Sequence, residues 1–130
     1  MGFILPITYY YTENHEWIST DGGVGSIGIT HYSTARMGLI IHIQPTRNPM
    51  VRKGGRLCEI ESSKVILDID SPLSGTIQEI NQHILDSPEL IIRDPYTSWI
   101  VRMKFTEQSE LKELLTLTEY EDFVRNLWKN

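Results

Sequence analysis

The sequence is poor in the residues that tie a fold together covalently or through metal. Its 130 residues include one cysteine, Cys58, so no intrachain disulfide can form, and no Cys/His cluster has the spacing of a zinc site. A disulfide scaffold and a zinc module are excluded, and a reducing compartment is expected. Long apolar runs are missing too: stretches such as Leu39-Ile40-Ile41 fall far short of the ~20 residues a membrane-spanning helix needs. Positive charge is scarce, with 12 Lys+Arg against 17 Asp+Glu and a net charge of −5, which argues against a cationic face for nucleic acid. Met1 to Pro6 shows neither a basic n-region nor a small-residue cleavage site, and Pro6 stands where a myristoylation signal has Ser or Thr. The expectation is a cytoplasmic protein that binds neither nucleic acid nor membrane.

Catalytic signatures are also absent. His15, His31, His42 and His83 are isolated, Gly22-Gly23-Val24-Gly25 is not followed by a helical pattern, and no nucleophile elbow occurs. A non-catalytic protein is expected.

What is present is the composition of one globular domain over residues 1–130, with 40% hydrophobic and 22% charged residues. Short β-forming runs separated by turn residues occupy about 9–105: Glu16–Ser19, Val24–Ile29, Leu39–Ile43, Leu57–Ser62, Val65–Ile69, Thr76–Asn81 and Trp99–Phe105. In the last, Ile100, Met103 and Phe105 interleave imperfectly with Arg102 and Lys104. Thr30 can N-cap a short helix running to Met37 and ended by Gly38. The period then changes. Leu111, Leu114 and Leu115 behind Ser109, and Tyr120, Phe123, Val124 and Leu127 behind Thr118, predict two helices over about 109–128 packed on the β body. Thr118 and Glu121 are spaced as a capping box for the second.

One segment stands out chemically. Two β-forming runs flank Ser62-Ser63-Lys64 with nothing else between them, which predicts a tight hairpin with Lys64 at or beside its apex. An ammonium held in water is a poor nucleophile at neutral pH but a good attachment point. Gly54, ten residues before Lys64, and Gly75, eleven after it, suggest two similar β units meeting at this hairpin. Cys58, on the strand leading to it, is expected to fill a small buried apolar site.

Tyr11-Thr12-Glu13-Asn14-His15-Glu16-Trp17, Ile27-Gly28-Ile29-Thr30, Glu61-Ser62-Ser63-Lys64, Ser71-Pro72-Leu73-Ser74-Gly75 and Asp94-Pro95-Tyr96 resemble, in order and spacing, the glycine cleavage system H protein family. The resemblance covers about residues 11–123. It implies a mainly β fold with a C-terminal α part: a barrel-sandwich hybrid, lipoyl/biotinyl-carrier-like, of two small antiparallel sheets with the carrier lysine on a hairpin. By that resemblance Lys64 is the lipoyl attachment site and Glu61, Ser62 and Ser63 form its attachment loop. Lipoic acid would be amide-linked there by a lipoate ligase or an octanoyl/lipoyl transferase. The arm would carry an aminomethyl group between glycine decarboxylase (P protein), aminomethyltransferase (T protein) and dihydrolipoyl dehydrogenase (L protein). Asn14, Glu16 and Asp68 match the cleft that shelters the loaded arm, and Arg36 occupies a cleft position where some members carry His. Carboxylates suit a cationic cargo. His15 and Trp17 are expected to fix the N-terminal strand by packing.

Several positions depart from the family pattern. Leu39 stands where an acidic residue is usual, the Gly38–Pro45 stretch is one residue short, and Arg47 to Lys53 is basic where the family is usually acidic. Ser63 and Val65 flank the lysine where Val and Ala are common, and Asp94 to Trp99 lacks a residue and a Gly. These changes admit two alternatives: an H-like lipoyl protein used in lipoate relay or redox-linked regulation beside macrodomain and sirtuin-type proteins, or an unmodified binding scaffold. A biotin carrier would have Met on both sides of the lysine, and a phosphopantetheine carrier needs an Asp-Ser-Leu that is absent.

Overall fold

Strand alternation decides which side chains turn inward. In β9, Val101–Phe105, the buried Val101, Met103 and Phe105 alternate with Arg102 and Lys104, which face outward. The computed structural model describes residues 3–127, and the same logic runs through its other strands. In chain order these are β1 (Tyr10–Tyr11), β2 (Glu16–Asp21), β3 (Val24–Ile29), β4 (Ile40–Pro45), β5 (Met50–Val51), β6 (Arg56–Ser62), β7 (Ile66–Asp70) and β8 (Gly75–Ile80). Helices α1 (His31–Thr34), α2 (Gln82–Asp86), α3 (Glu89–Arg93) and α4 (Leu117–Leu127) and a 3-10 helix, Gln108–Glu113, complete the chain. No helix among the described residues is long and apolar enough to cross a membrane.

The strands form two antiparallel sheets, one ordered β1-β2-β3-β9-β8-β5 and one ordered β4-β6-β7. A single apolar cluster joins them: Ile18, Ile27, Ile29 and Met103 from the larger sheet meet Ile43, Leu57, Cys58 and Ile60 from the smaller. Each such Ile or Leu contributes about 1.5–3 kcal/mol by leaving water. Cys58 is wholly buried, and burial pushes its thiol up to about 12, so it packs as a small apolar residue, as expected.

A second cluster of Tyr11, Trp17, Tyr96, Tyr120 and Val124 joins β1 and β2 to α4. Trp17 fits because Gly28 lies opposite it in the β2–β3 register and has no Cβ to strike the indole. Its Nε1–H donates to the Pro95 carbonyl at 2.9 Å. The packing role expected of Trp17 is therefore observed.

The predicted strands are present with shifted ends. Val24–Ile29 is unchanged, whereas Val65 belongs to the turn and the seventh strand runs Ile66–Asp70. Trp99 and Ile100 precede the last strand. The two-residue strands β1 and β5 and the short helices α2 and α3 have patterns too brief for periodicity to reveal.

Three local expectations are corrected. The helix after Thr30 spans His31–Thr34 and stops short of Met37; the Thr30 hydroxyl does not cap it but pairs with Tyr120 at 2.8 Å. The segment behind Ser109 is 3-10, because Glu110 is held by the Ser74 N–H and hydroxyl while Leu115 must be extended to exchange two 2.8 Å hydrogen bonds with Tyr11. The capping box of α4 is Thr116 with Glu119, not Thr118 with Glu121: the Thr116 N–H donates to the Glu119 carboxylate at 2.9 Å and the Glu119 N–H to the Thr116 hydroxyl at 3.2 Å. Starting one Thr-x-x-Glu earlier makes Leu117 helical and buries Tyr120 and Val124. Residue 128, the expected end of this helix, lies outside the described residues, as do Met1 and Gly2.

Candidate functional site: the Lys64 hairpin and the groove beside it

Strands β6 and β7 pair from Arg56↔Asp70 to Glu61↔Ile66 and are closed by a turn at Ser62 to Val65. Ser62 builds that turn. Its N–H donates to the Val65 carbonyl at 2.9 Å, and its buried hydroxyl donates to the same carbonyl while accepting the Val65 N–H at 3.1 Å. Local side-chain bonding of this kind fixes a turn without glycine. A third tie comes from outside the hairpin: Ser63 bonds Leu39 through both its N–H and its hydroxyl, at 2.8 and 2.9 Å.

Lys64 therefore stands at the exposed tip of a braced stem, and among the described residues its ammonium has no hydrogen-bond or ion-pair partner. Its aliphatic stem passes over Gly38, where a Cβ would sit 3.3 Å from Lys64 Cγ. A side chain so placed can take an acyl group at its exposed tip.

From the tip, β7 leads to a groove of roughly 400 Å3 whose wall includes Asn14, Arg36, Asp68 and Asp70. Lys64 stands in the turn two residues before β7 begins, and Asp68 is the third residue of that strand. Asp68 is exposed and lies 3.7 Å from Arg56, and the Asp70 carboxyl is raised first by burial and then by the Asp68 charge. The groove thus has Glu13, Asp68 and Asp70 as acidic residues in its lining and Arg36 as its cation.

Three of the four residues expected in a cleft, Asn14, Arg36 and Asp68, are brought together here. Glu16 does not line this groove. It is 2% exposed and opens instead on an adjoining groove of roughly 410 Å3 that shares Glu13, Asn14 and Asp70. Its carboxylate accepts the Thr12 hydroxyl at 2.8 Å and the Asp70 N–H at 3.2 Å, but burial outweighs both and pushes it up to about 7. Lys53 and Glu113 form an ion pair on the wall of that second groove. Sequence patterning does not reveal Asp70, because a carboxylate at the end of a strand looks like any solvated charge.

His15 is placed by its backbone, with φ of 69°, and by a 2.6 Å hydrogen bond between Nδ1 and the Tyr120 hydroxyl. Burial, with the Arg36 charge second, depresses it to about 4, so the ring is neutral at physiological pH. It fixes the chain as expected, and it also forms part of the groove wall.

Residues 9–127 match the family described as Glycine cleavage H-protein. A glycine cleavage system H protein of Acidobacterium capsulatum is 36% identical over 92% of this chain and 94% of its own length. A probable glycine cleavage system H protein of Thermococcus kodakarensis is 40% identical over 91% and 90%. Among solved structures, the crystal structure of a glycine cleavage system H protein from Mycobacterium marinum superposes with a TM-score of 0.80 at 33% identity, covering 91% of this chain and 97% of that one. With the hairpin, the two sheets and the C-terminal helix all in place, the chain belongs to the glycine cleavage H-protein family.

Proposed function

We propose that this chain is the lipoyl carrier of a glycine cleavage system and that Lys64 is where lipoic acid is attached. The observation that carries the reading is the exposed Lys64 on a turn fixed by Ser62 and Ser63, with Glu61 completing the attachment loop. A lipoate ligase or an octanoyl/lipoyl transferase would convert the ammonium to a neutral amide. A lipoyl group held there would supply a disulfide/dithiol couple able to carry an aminomethyl unit, the chemistry that glycine decarboxylase, aminomethyltransferase and dihydrolipoyl dehydrogenase would share.

The chain's own residues position and shelter rather than catalyse. Ser62 and Ser63 hold the attachment point still. Asn14, Asp68 and Asp70 offer acceptors to a cationic cargo in the groove, and the buried Glu16 holds Asp70 by accepting its N–H. Arg36 opposes a cation there, so it adjusts how long the cargo stays.

The test is intact mass with peptide mapping after incubation of the full chain with lipoate, ATP and a lipoate ligase. A gain of one lipoyl group on the peptide containing Lys64, followed by glycine-dependent NAD reduction with the three partner enzymes and tetrahydrofolate as the one-carbon acceptor, is expected. An unmodified Lys64 would overturn the attachment site. A modified chain that does not support NAD reduction would overturn the glycine cleavage role alone.

A further inference from the structure

Positive charge is scarce in this chain but concentrated. Residues 47–56 hold four of its twelve Lys and Arg, namely Arg47, Arg52, Lys53 and Arg56, and none of its seventeen Asp and Glu. Two of these cations are paired, Lys53 with Glu113 and Arg56 with Glu59 and Asp68. Arg47 and Arg52 are exposed and, among the described residues, their guanidinium groups have no hydrogen-bond or ion-pair partner. They bracket β5, where Met50 is 72% exposed. Met50 lies opposite Thr76, and Thr76 opposite the exposed Lys104, so these three share one row on the outer face of the larger sheet. Beside the row is a groove of roughly 590 Å3 lined by Asn48, Met50, Arg52 and Thr76, with Glu107 its only carboxylate among the described residues.

We propose that this strip is a docking surface for an acidic segment of a partner protein, whose carboxylates meet Arg47, Arg52 and Lys104 while an apolar side chain covers Met50. The proposal goes beyond the carrier reading and does not depend on what Lys64 holds. Charge complementarity selects the occupant. On a chain of net charge −5 an acidic partner is repelled over most of the surface, and a cluster of uncompensated cations fixes where it lands. A second copy is disfavoured, because edge-to-edge pairing of two β5 strands would set each copy's Arg47 and Arg52 against those of the other. The edge also resists strand addition: β5 has two residues, Pro49 precedes it, and the Met50 N–H is already taken by Asn48 Oδ1 at 3.0 Å. Recognition therefore falls to side chains. A nucleic acid strand would gain nothing from Met50, would meet Glu107, and would find no aromatic ring in the groove on which to stack a base.

The place of the strip gives such docking a use. It leads through the turn at 53–55 into the start of β6, whereas Lys64 stands past the end of that strand. A partner held at the strip leaves the hairpin tip open, so the chain can be tethered at one end while the other is at work.

The test uses the full unmodified chain, isotope-labelled for NMR, with the capped peptide acetyl-Glu-Glu-Leu-Glu-Glu-amide as the probe and its Gln counterpart as the uncharged control. Saturable amide shifts at Met50, Arg52, Thr76 and Lys104 are expected with the acidic peptide alone, and they should weaken as salt rises. Arg47→Glu with Arg52→Glu should weaken binding roughly 10-fold or more, and Met50→Ser roughly 2- to 5-fold, the scales of two reversed charges and of one uncovered apolar side chain. All three positions are exposed or at the sheet edge, so the melting temperatures of these variants should match that of the parent. Shifts spread equally over Arg93, Lys112 and Arg125 would reduce the effect to general charge attraction and overturn the strip, as would no shift at all. An oligothymidylate that binds as tightly as the acidic peptide would assign the strip to nucleic acid instead. Each of these results leaves the lipoylation of Lys64 to be decided by its own test.

Discussion

Ser63 and Leu39 exchange two hydrogen bonds, Ser63 N–H to the Leu39 carbonyl at 2.8 Å and Leu39 N–H to the Ser63 hydroxyl at 2.9 Å, so the loop carrying Lys64 is fastened to the chain entering β4. This approach exists only because residue 38 is glycine. A Cβ on Gly38 would overlap Ser63 Oγ and press on Lys64 Cγ.

Gly38→Ala should therefore cost about 1–3 kcal/mol of stability and slow acylation of Lys64. Urea denaturation and a time course of lipoylation by mass check this together. Unchanged values in both would show that the loop adjusts freely and that the Ser63–Leu39 tie is incidental.

Lys64→Arg should leave the fold and its melting temperature unchanged, because the side chain stands in solvent without a partner among the described residues, yet take up no lipoyl group. A guanidinium does not form the amide the ligase makes. Lipoyl mass retained in this variant would place the attachment elsewhere.

Much of this was legible in the sequence, and the reasons differ by element. The Lys64 hairpin is local: two β runs and three residues between them leave the chain no other course, so the apex follows from spacing, whereas the register, with its irregularity between Arg56 and Cys58, does not. The groove is not local. Asn14, Arg36 and Asp68 come from three segments, and a resemblance can pair them, but only packing shows that Glu16 turns inward beside Thr12 and the Asp70 N–H. The cap of α4 was ambiguous because Thr116 and Thr118 both precede a Glu by three residues. The choice falls to Thr116 because Leu115 is committed to the bridge with Tyr11. Similarly, the Thr30 hydroxyl leaves the end of α1 for a tyrosine 90 residues away, a partner no local pattern contains.

Glu16 gives the protein a pH signature. In the unfolded chain its carboxyl ionises near its ordinary value of 4.5; in the fold burial holds the proton until about 7. Between those values the folded state binds the extra proton, so stability falls as pH rises through that window. Glu16→Gln, whose amide can serve both Thr12 and the Asp70 N–H, should flatten that slope and gain on the order of 2 kcal/mol at pH 8. Parallel stability–pH curves for the two proteins would refute the buried-carboxyl account.

The Tyr120 hydroxyl joins α4 to the body by meeting His15 Nδ1 at 2.6 Å and Thr30 Oγ1 at 2.8 Å, all three residues being buried. Tyr120→Phe keeps the ring stacked on Tyr11 but strands both partners, and should cost about 1–3 kcal/mol. Proton NMR of the His15 ring should shift in the same variant. A neutral substitution with the ring unmoved would mean that stacking alone holds the helix.

Arg36 is the residue through which groove chemistry can be adjusted without touching the attachment point. It faces a groove whose other charges, Glu13, Asp68 and Asp70, are acidic, and its cation also depresses His15. At neutral pH a histidine in its place would be mostly uncharged, leaving the acidic lining unopposed for a cationic cargo. Arg36→His should lengthen the lifetime of the loaded arm against water roughly two- to fivefold, the modest scale expected of one partly screened charge. The gain should shrink at high salt, which packing effects would not do. A lifetime independent of both the substitution and the salt would place the cargo outside this groove, whatever carries it on Lys64.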